Sequence, residues 1–216
     1  IPAYGFYWFA LAAEAELPTW HETVPEPVPD LLTIVMRDGW QSLISGRAGE
    51  ELARDILQAY LPQQRWFAAK DRRIETAHVP MYARVDGPGD GFMLAWADVE
   101  LTGGGAQSYF LPLAMSWEEN AGNFGWPLLP YTLAKARRGP RTGAIFDALQ
   151  TDSFTRSLLT VLREGRELRA SNGTLRFTPT ARMAELTVPE DAEIRRLGVE
   201  QSNSSILVGS QAVLKA

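Results

Sequence analysis

Five small polar residues near one end of the chain, Gln201, Ser202, Asn203, Ser204 and Ser205, precede a short apolar run, a Gly209-Ser210 turn and the run Ala212-Val213-Leu214-Lys215. A loop of small residues lets backbone N–H groups close on phosphate, and a lysine on a following strand supplies a compact positive charge. Here serines and an asparagine stand where glycines are usual, and their side chains add hydrogen-bonding groups of their own. Strand alternation puts Val213 and Lys215 on one face and Leu214 on the other, toward a core. The candidate nucleotide-binding residues are therefore Lys215 and the loop from Gln201 to Ser205. An ordinary surface hairpin has the same pattern, so the arrangement by itself leaves both readings open.

Other chemistry-bearing residues read as structural. Gly103-Gly104-Gly105 has no lysine after it and suits a hairpin turn. Glu118 and Glu119 have nothing beside them to separate their pKa values, so they read as solvated rather than as an acid/base pair. Trp66 and Phe67 follow a helical pattern, where burial of large rings is commoner than stacking on sugar. Trp96 is expected in the core, and Trp117 and Trp126 in a turn-rich stretch. His21 and His78 lack a companion pattern for zinc or for a hydrolase triad. No catalytic or metal-ligating residue is assigned.

The bulk properties narrow the class. The chain has 216 residues, 45% hydrophobic and 22% charged, enough apolar material for a packed core. A formal net charge of −5 gives no long-range attraction to nucleic acid or an anionic membrane. The basic clusters Arg72-Arg73, Arg137-Arg138 with Arg141, and Arg195-Arg196 are short and read as solvated surface. There is no cysteine, hence no disulfide or thiolate metal site, which accords with a reducing cytosol. The longest apolar run, residues 6–13, is far below the ~20 residues of a membrane span.

Several elements must position the candidate loop. An aromatic strand is expected at residues 1–11, followed by an acidic, proline-rich linker at 14–30. A strand at 31–36 and a helix at 49–61 come next; Leu52, Ile56, Leu57 and Tyr60 share one helical face, and Pro62 ends it. Strands at 77–85, 92–101 and 108–115 are joined by glycine-rich links, the pattern of an antiparallel meander. Residues 116–143 are rich in turn formers, with a strand expected at 128–136. A helix capped by Asp152 or Ser153 carries the stripe Phe154, Leu158, Leu159 and Leu162 and stops at Gly165. A strand at 174–178 and the terminal hairpin at 204–215 complete the chain. The fold class is α+β, an antiparallel sheet with helices to one side.

Three segments carry a resemblance: Glu200 to Lys215 around the Gln-Ser-Asn-Ser-Ser loop, Leu61-Pro62-Gln63-Gln64-Arg65-Trp66-Phe67-Ala68-Ala69-Lys70, and Tyr131-Thr132-Leu133-Ala134-Lys135-Ala136-Arg137-Arg138-Gly139. They resemble bacterial maltokinases, whose fold is like that of aminoglycoside phosphotransferases with an added N-terminal cap. Pro2-Ala3-Tyr4-Gly5-Phe6-Tyr7-Trp8-Phe9 is similar to the closing strand of trehalose synthases, which are fused to maltokinases in many bacteria. The resemblance implies a synthase strand at 1–13, a linker at 14–45, a cap at 46–190, and the first strands of a protein-kinase-like N-lobe at 191–216. It implies transfer of the ATP γ-phosphate to the anomeric hydroxyl of maltose, with ATP and Mg²⁺ as cofactors of the complete enzyme. Maltose, the kinase C-lobe and the synthase domain are the implied partners. The cytoplasm is the implied compartment, and neither nucleic acid nor membrane is expected as a partner. The catalytic base and magnesium ligands belong to the family's C-lobe, so these residues alone are expected to be inactive and to bind little ATP. The competing expectation is a non-catalytic module that tethers a trehalose synthase or binds glucan.

Overall fold

The computed structural model describes residues 31–117, 128–189, 191–197 and 203–216, all within one compact unit, Leu31–Ala216. The aromatic strand expected at 1–11, the linker, Glu118-Glu119, Trp126, His21, Gln201 and Ser202 lie outside the described residues.

The architecture is mixed, with a mostly antiparallel sheet and few helices. Strand β1 (Thr33–Val35) leads into α1 (Trp40–Ile44) and α2 (Gly46–Glu51). A π-helical turn (Leu52–Ile56) then joins α2 to α3 (Leu57–Tyr60), and a 3₁₀ turn (Leu61–Gln63) follows. The expected stripe is present, since Leu52, Ile56, Leu57 and Tyr60 are all buried. The helical region starts earlier than its periodicity suggests, because the chain breaks at Ser45 and restarts.

Strands β2 (Ile74–Val85), β3 (Phe92–Leu101) and β4 (Ala106–Trp117) form the anticipated antiparallel meander. Pro80 falls at a register break between His78 and Met81, where a strand tolerates a missing donor. Beyond β4 the order departs from a simple meander. Strands β5 (Thr132–Arg138) and β6 (Arg141–Asp147) form a hairpin in which β6 pairs with β4, and β1 adds to β5 in parallel. Strands β7 (Glu167–Ala170) and β8 (Gly173–Arg176) extend the other edge, giving the order β1-β5-β6-β4-β3-β2-β7-β8. Helix α4 (Asp152–Glu164) precedes β7, and the short α5 (Ala181–Glu185) follows β8. The hydroxyl of Thr151, not Asp152 or Ser153, caps α4 by accepting from the Phe154 N–H, and Gly165 ends it at φ 61°.

The sheet is covered on both faces, which corrects the expectation of helices to one side. On β3, Met93, Ala95, Ala97, Val99 and Leu101 join a core with Trp40, Leu43, Leu57 and Phe67. Phe92 and Leu94 point the other way, into a second core with Phe154, Leu158 and Val161 of α4. Full burial of side chains such as Phe154 and Leu57 contributes about 1.5–3 kcal/mol each. A separate sheet, ordered β11-β10-β9, comprises β9 (Ile194–Arg196), β10 (Ser205–Val208) and β11 (Ala212–Lys215). Ile194, Ile206 and Val208 belong to that second core, so the terminal hairpin is anchored on the same side as α4.

Two arginine clusters expected on the surface are partly buried structural ties. Arg138 donates to Asp90 at 2.9 Å and to the Met36 carbonyl at 3.2 Å. Trp117 Nε1 donates to the same carboxylate at 2.6 Å, and the Arg138 and Arg141 guanidinium groups lie over the Trp117 ring. Trp117 is therefore core. Burial pushes the Asp90 pKa up, but the hydrogen bonds from Trp117 and Arg138 and the two arginine charges outweigh it and hold the carboxyl below its usual range. The second such tie, Arg196, belongs to the pocket below. Arg72, which is exposed, donates to the Leu101, Thr102 and Gly104 carbonyls, so Gly103-Gly104-Gly105 is the pinned β3–β4 turn.

Candidate functional site

The loop residues Asn203, Ser204 and Ser205 enter β10 at a fixed place. Ser204 exchanges two backbone hydrogen bonds with Ala216, each 3.0 Å, and the Leu197 N–H donates to the Ser205 carbonyl at 2.8 Å. Ser205 lies directly across from Lys215, so both side chains share one face of the hairpin. Leu214 and Ile206 occupy the opposite, core-facing side, as alternation requires. Val213, on the face of Lys215, is 49% exposed, and Lys215 itself is exposed.

Behind the loop is a pocket of about 420 Å³ lined by residues 63–66, 130–131, 147, 149–150, 196–197 and 203–206. It gathers pieces far apart in sequence. The turn after α3 presents Gln63, Gln64, Arg65 and Trp66. Its shape is held by Lys70, whose ammonium donates to the Pro62 and Gln64 carbonyls. Gln64 is buried and reaches the Tyr60 and Pro130 carbonyls. Phe67 turns inward and is core, while the half-buried Trp66 both packs and lines the pocket; both rings contact Tyr109. Tyr131 contributes a ring that is 37% exposed.

Asp147, at the end of β6, forms part of the wall and is only 3% exposed. One oxygen accepts from the Leu149 N–H at 2.9 Å. Burial raises its pKa to about 6, a rise moderated by the Leu149 N–H, the Gln150 side chain and the Arg196 charge. Arg196, from β9, donates to the Leu149 carbonyl at 2.9 Å and pairs with Asp152 at the start of α4 at 2.7 Å. It thus ties the three-stranded sheet to α4, which is why it is not simply solvated.

Of the residues singled out by sequence, Asn203, Ser204 and Ser205 line this pocket together with Trp66, whereas Lys215 does not. The lysine stands across the hairpin from Ser205 and is itself exposed. Asp147, Gln150 and Arg196 were not anticipated. Asp147 closes an apolar run, Gly143-Ala144-Ile145-Phe146, and a carboxylate there was the available hint. Among the described residues, no group of three or more His, Asp or Glu is placed to hold a metal ion. No described helix is long and apolar enough to cross a membrane. His78 is exposed, 4.0 Å from Asp98.

Residues 60–150 match the maltokinase N-terminal cap domain. The matched segment runs from the end of α3 through the whole of β2–β6 and includes Gln63–Trp66, Tyr131 and Asp147 of the pocket. That region of the chain is maltokinase-related.

Proposed function

We propose that the chain is the cap, residues 46–190, and the first nucleotide-lobe strands, 191–216, of an ATP-dependent maltokinase that makes maltose 1-phosphate. In this reading residues 1–13 are the closing strand of a fused trehalose synthase and 14–45 the connection. The observation that carries the kinase reading is the cap-domain match at 60–150. The placement of the buried Ser205 directly across the hairpin from the exposed Lys215 supports the nucleotide site.

The donor set suits phosphate. Lys215 offers a charge that is not buried in the core, and the exposed Asn203 offers an amide in the loop that leads into the hairpin. When bound, ATP supplies the phosphoryl group to be transferred. The chain's own contribution is to hold and orient the phosphates, through Lys215 and the loop from Gln201 to Ser205. By the resemblance to maltokinases, the Mg²⁺ ligands, the base and the maltose pocket belong to a further lobe.

The test is a ³¹P assay of the natural polypeptide that contains this chain, supplied with maltose and MgATP. A new anomeric phosphate signal that appears only with both substrates is the expected result. Steady ATP consumption without maltose phosphorylation, or no turnover at all, contradicts the proposal.

A further inference from the structure

We propose that the pocket behind the Asn203–Ser205 loop binds a neutral, hydroxyl-rich ligand, a short saccharide, at a site separate from the phosphates held over Lys215. The inference rests on the pocket's own chemistry and does not require that the chain take part in phosphoryl transfer.

The size is suitable, since about 420 Å³ lies within the range of about 300–1,000 Å³ common for small-molecule sites. The charges favour neutrality. The Asp147 carboxylate in the wall repels a phosphate or a carboxylate, and Arg196 is already engaged by the Leu149 carbonyl and Asp152. With Arg196 so paired, the exposed Arg65 and the Asp147 carboxylate set one charge of each sign against the space, which suits a ligand with none. Amides enter from two segments outside the loop, at Gln63 and Gln150. An amide both donates and accepts, and so does a sugar hydroxyl, so polar groups on several sides match hydroxyls that radiate from a ring. A nucleobase presents its polar edge in a single plane and leaves such a scattered set unused. Trp66 and Tyr131 add aromatic surface for the apolar faces of a sugar.

The experiment is calorimetric titration of this 216-residue chain with maltose, maltotriose and adenosine, accompanied by tryptophan fluorescence. Saturable saccharide binding is expected, with no adenosine binding in the same range. Tyr131→Ala and Gln150→Ala, both at solvent-accessible positions, should each weaken it at least tenfold while the far-ultraviolet circular dichroism stays that of the folded chain. Absence of saccharide binding, preferential binding of adenosine, or unchanged affinity in both variants overturns the proposal. Because the readout is saccharide affinity and not phosphate transfer, this result and the kinase assay can fail independently.

Discussion

Replacing Asp147 with asparagine removes a carboxylate that the fold holds almost entirely away from water while keeping an oxygen to accept from the Leu149 N–H. The folded chain binds the Asp147 proton more tightly than the unfolded chain, with a pKa of about 6 against an ordinary 3.8. Between those values the folded state keeps a proton that the unfolded state has released, so this group's ionisation lowers stability as pH rises. Converted at about 1.36 kcal/mol per pH unit, the difference amounts to about 3 kcal/mol at neutral pH. Asp147→Asn should therefore be more stable than the parent by up to about 3 kcal/mol at about pH 7, and the advantage should vanish below about pH 4. Urea unfolding of both proteins across that interval measures the difference directly, and the subtraction cancels every other titrating group. A difference that is constant across the interval, or a variant less stable than the parent at neutral pH, refutes the burial argument.

Asp90→Ala should cost about 2–3 kcal/mol in thermal or chemical unfolding, because it strands the Arg138 guanidinium and the Trp117 N–H in a partly buried site. The Asp90 contribution is present above the usual carboxylate range and is lost as pH falls through its depressed folded value, opposite in sign to that of Asp147. Thr151→Ala should lower stability by about 1 kcal/mol, whereas Ser153→Ala should stay within about 0.5 kcal/mol, since only Thr151 caps α4. Equal effects of the two substitutions would show that the cap is placed wrongly.

Local pattern made the centre of the fold legible. Strand β3 is bounded in sequence by Gly91 and Thr102 and opens with six apolar residues, Phe92 to Ala97, so residues 92–101 stand out at once. The helical stripe from Leu52 to Tyr60 is equally plain because all four members are buried. Strand β6 is hidden by its own composition. Gly139, Pro140 and Gly143 read as turn residues, yet Gly143 is a strand glycine required by close approach. A Cβ there would meet the Ser116 carbonyl oxygen at 2.3 Å. Arg138 and Arg141 look solvated until Trp117 is brought beneath them, a contact no local pattern encodes. The covering of both sheet faces is hinted at by the continuous apolar run in β3, but which elements supply each cover is a matter of tertiary packing.

The pocket was legible only in parts. The segments at 61–70, 131–139 and 200–215 each looked distinctive, and the structure brings the first two together with the Asn203–Ser205 loop. Asp147 and Arg196 join them through the β6 terminus and β9, two elements without a clear sequence pattern. Lys215 shows the reverse case. Alternation puts it on the face opposite Leu214, but only the fold reveals that the lysine itself is exposed and does not line the pocket, whereas Ser205 on the same face is buried and does.

The most direct measurement compares Lys215→Ala with the parent in the natural polypeptide, scoring maltose- and ATP-dependent phosphate transfer beside far-ultraviolet circular dichroism. The side chain is exposed and makes no core contact, so the spectrum should be unchanged while turnover falls by about 100-fold or more. Turnover equal to the parent's would remove the lysine from phosphate binding and the nucleotide site from this hairpin.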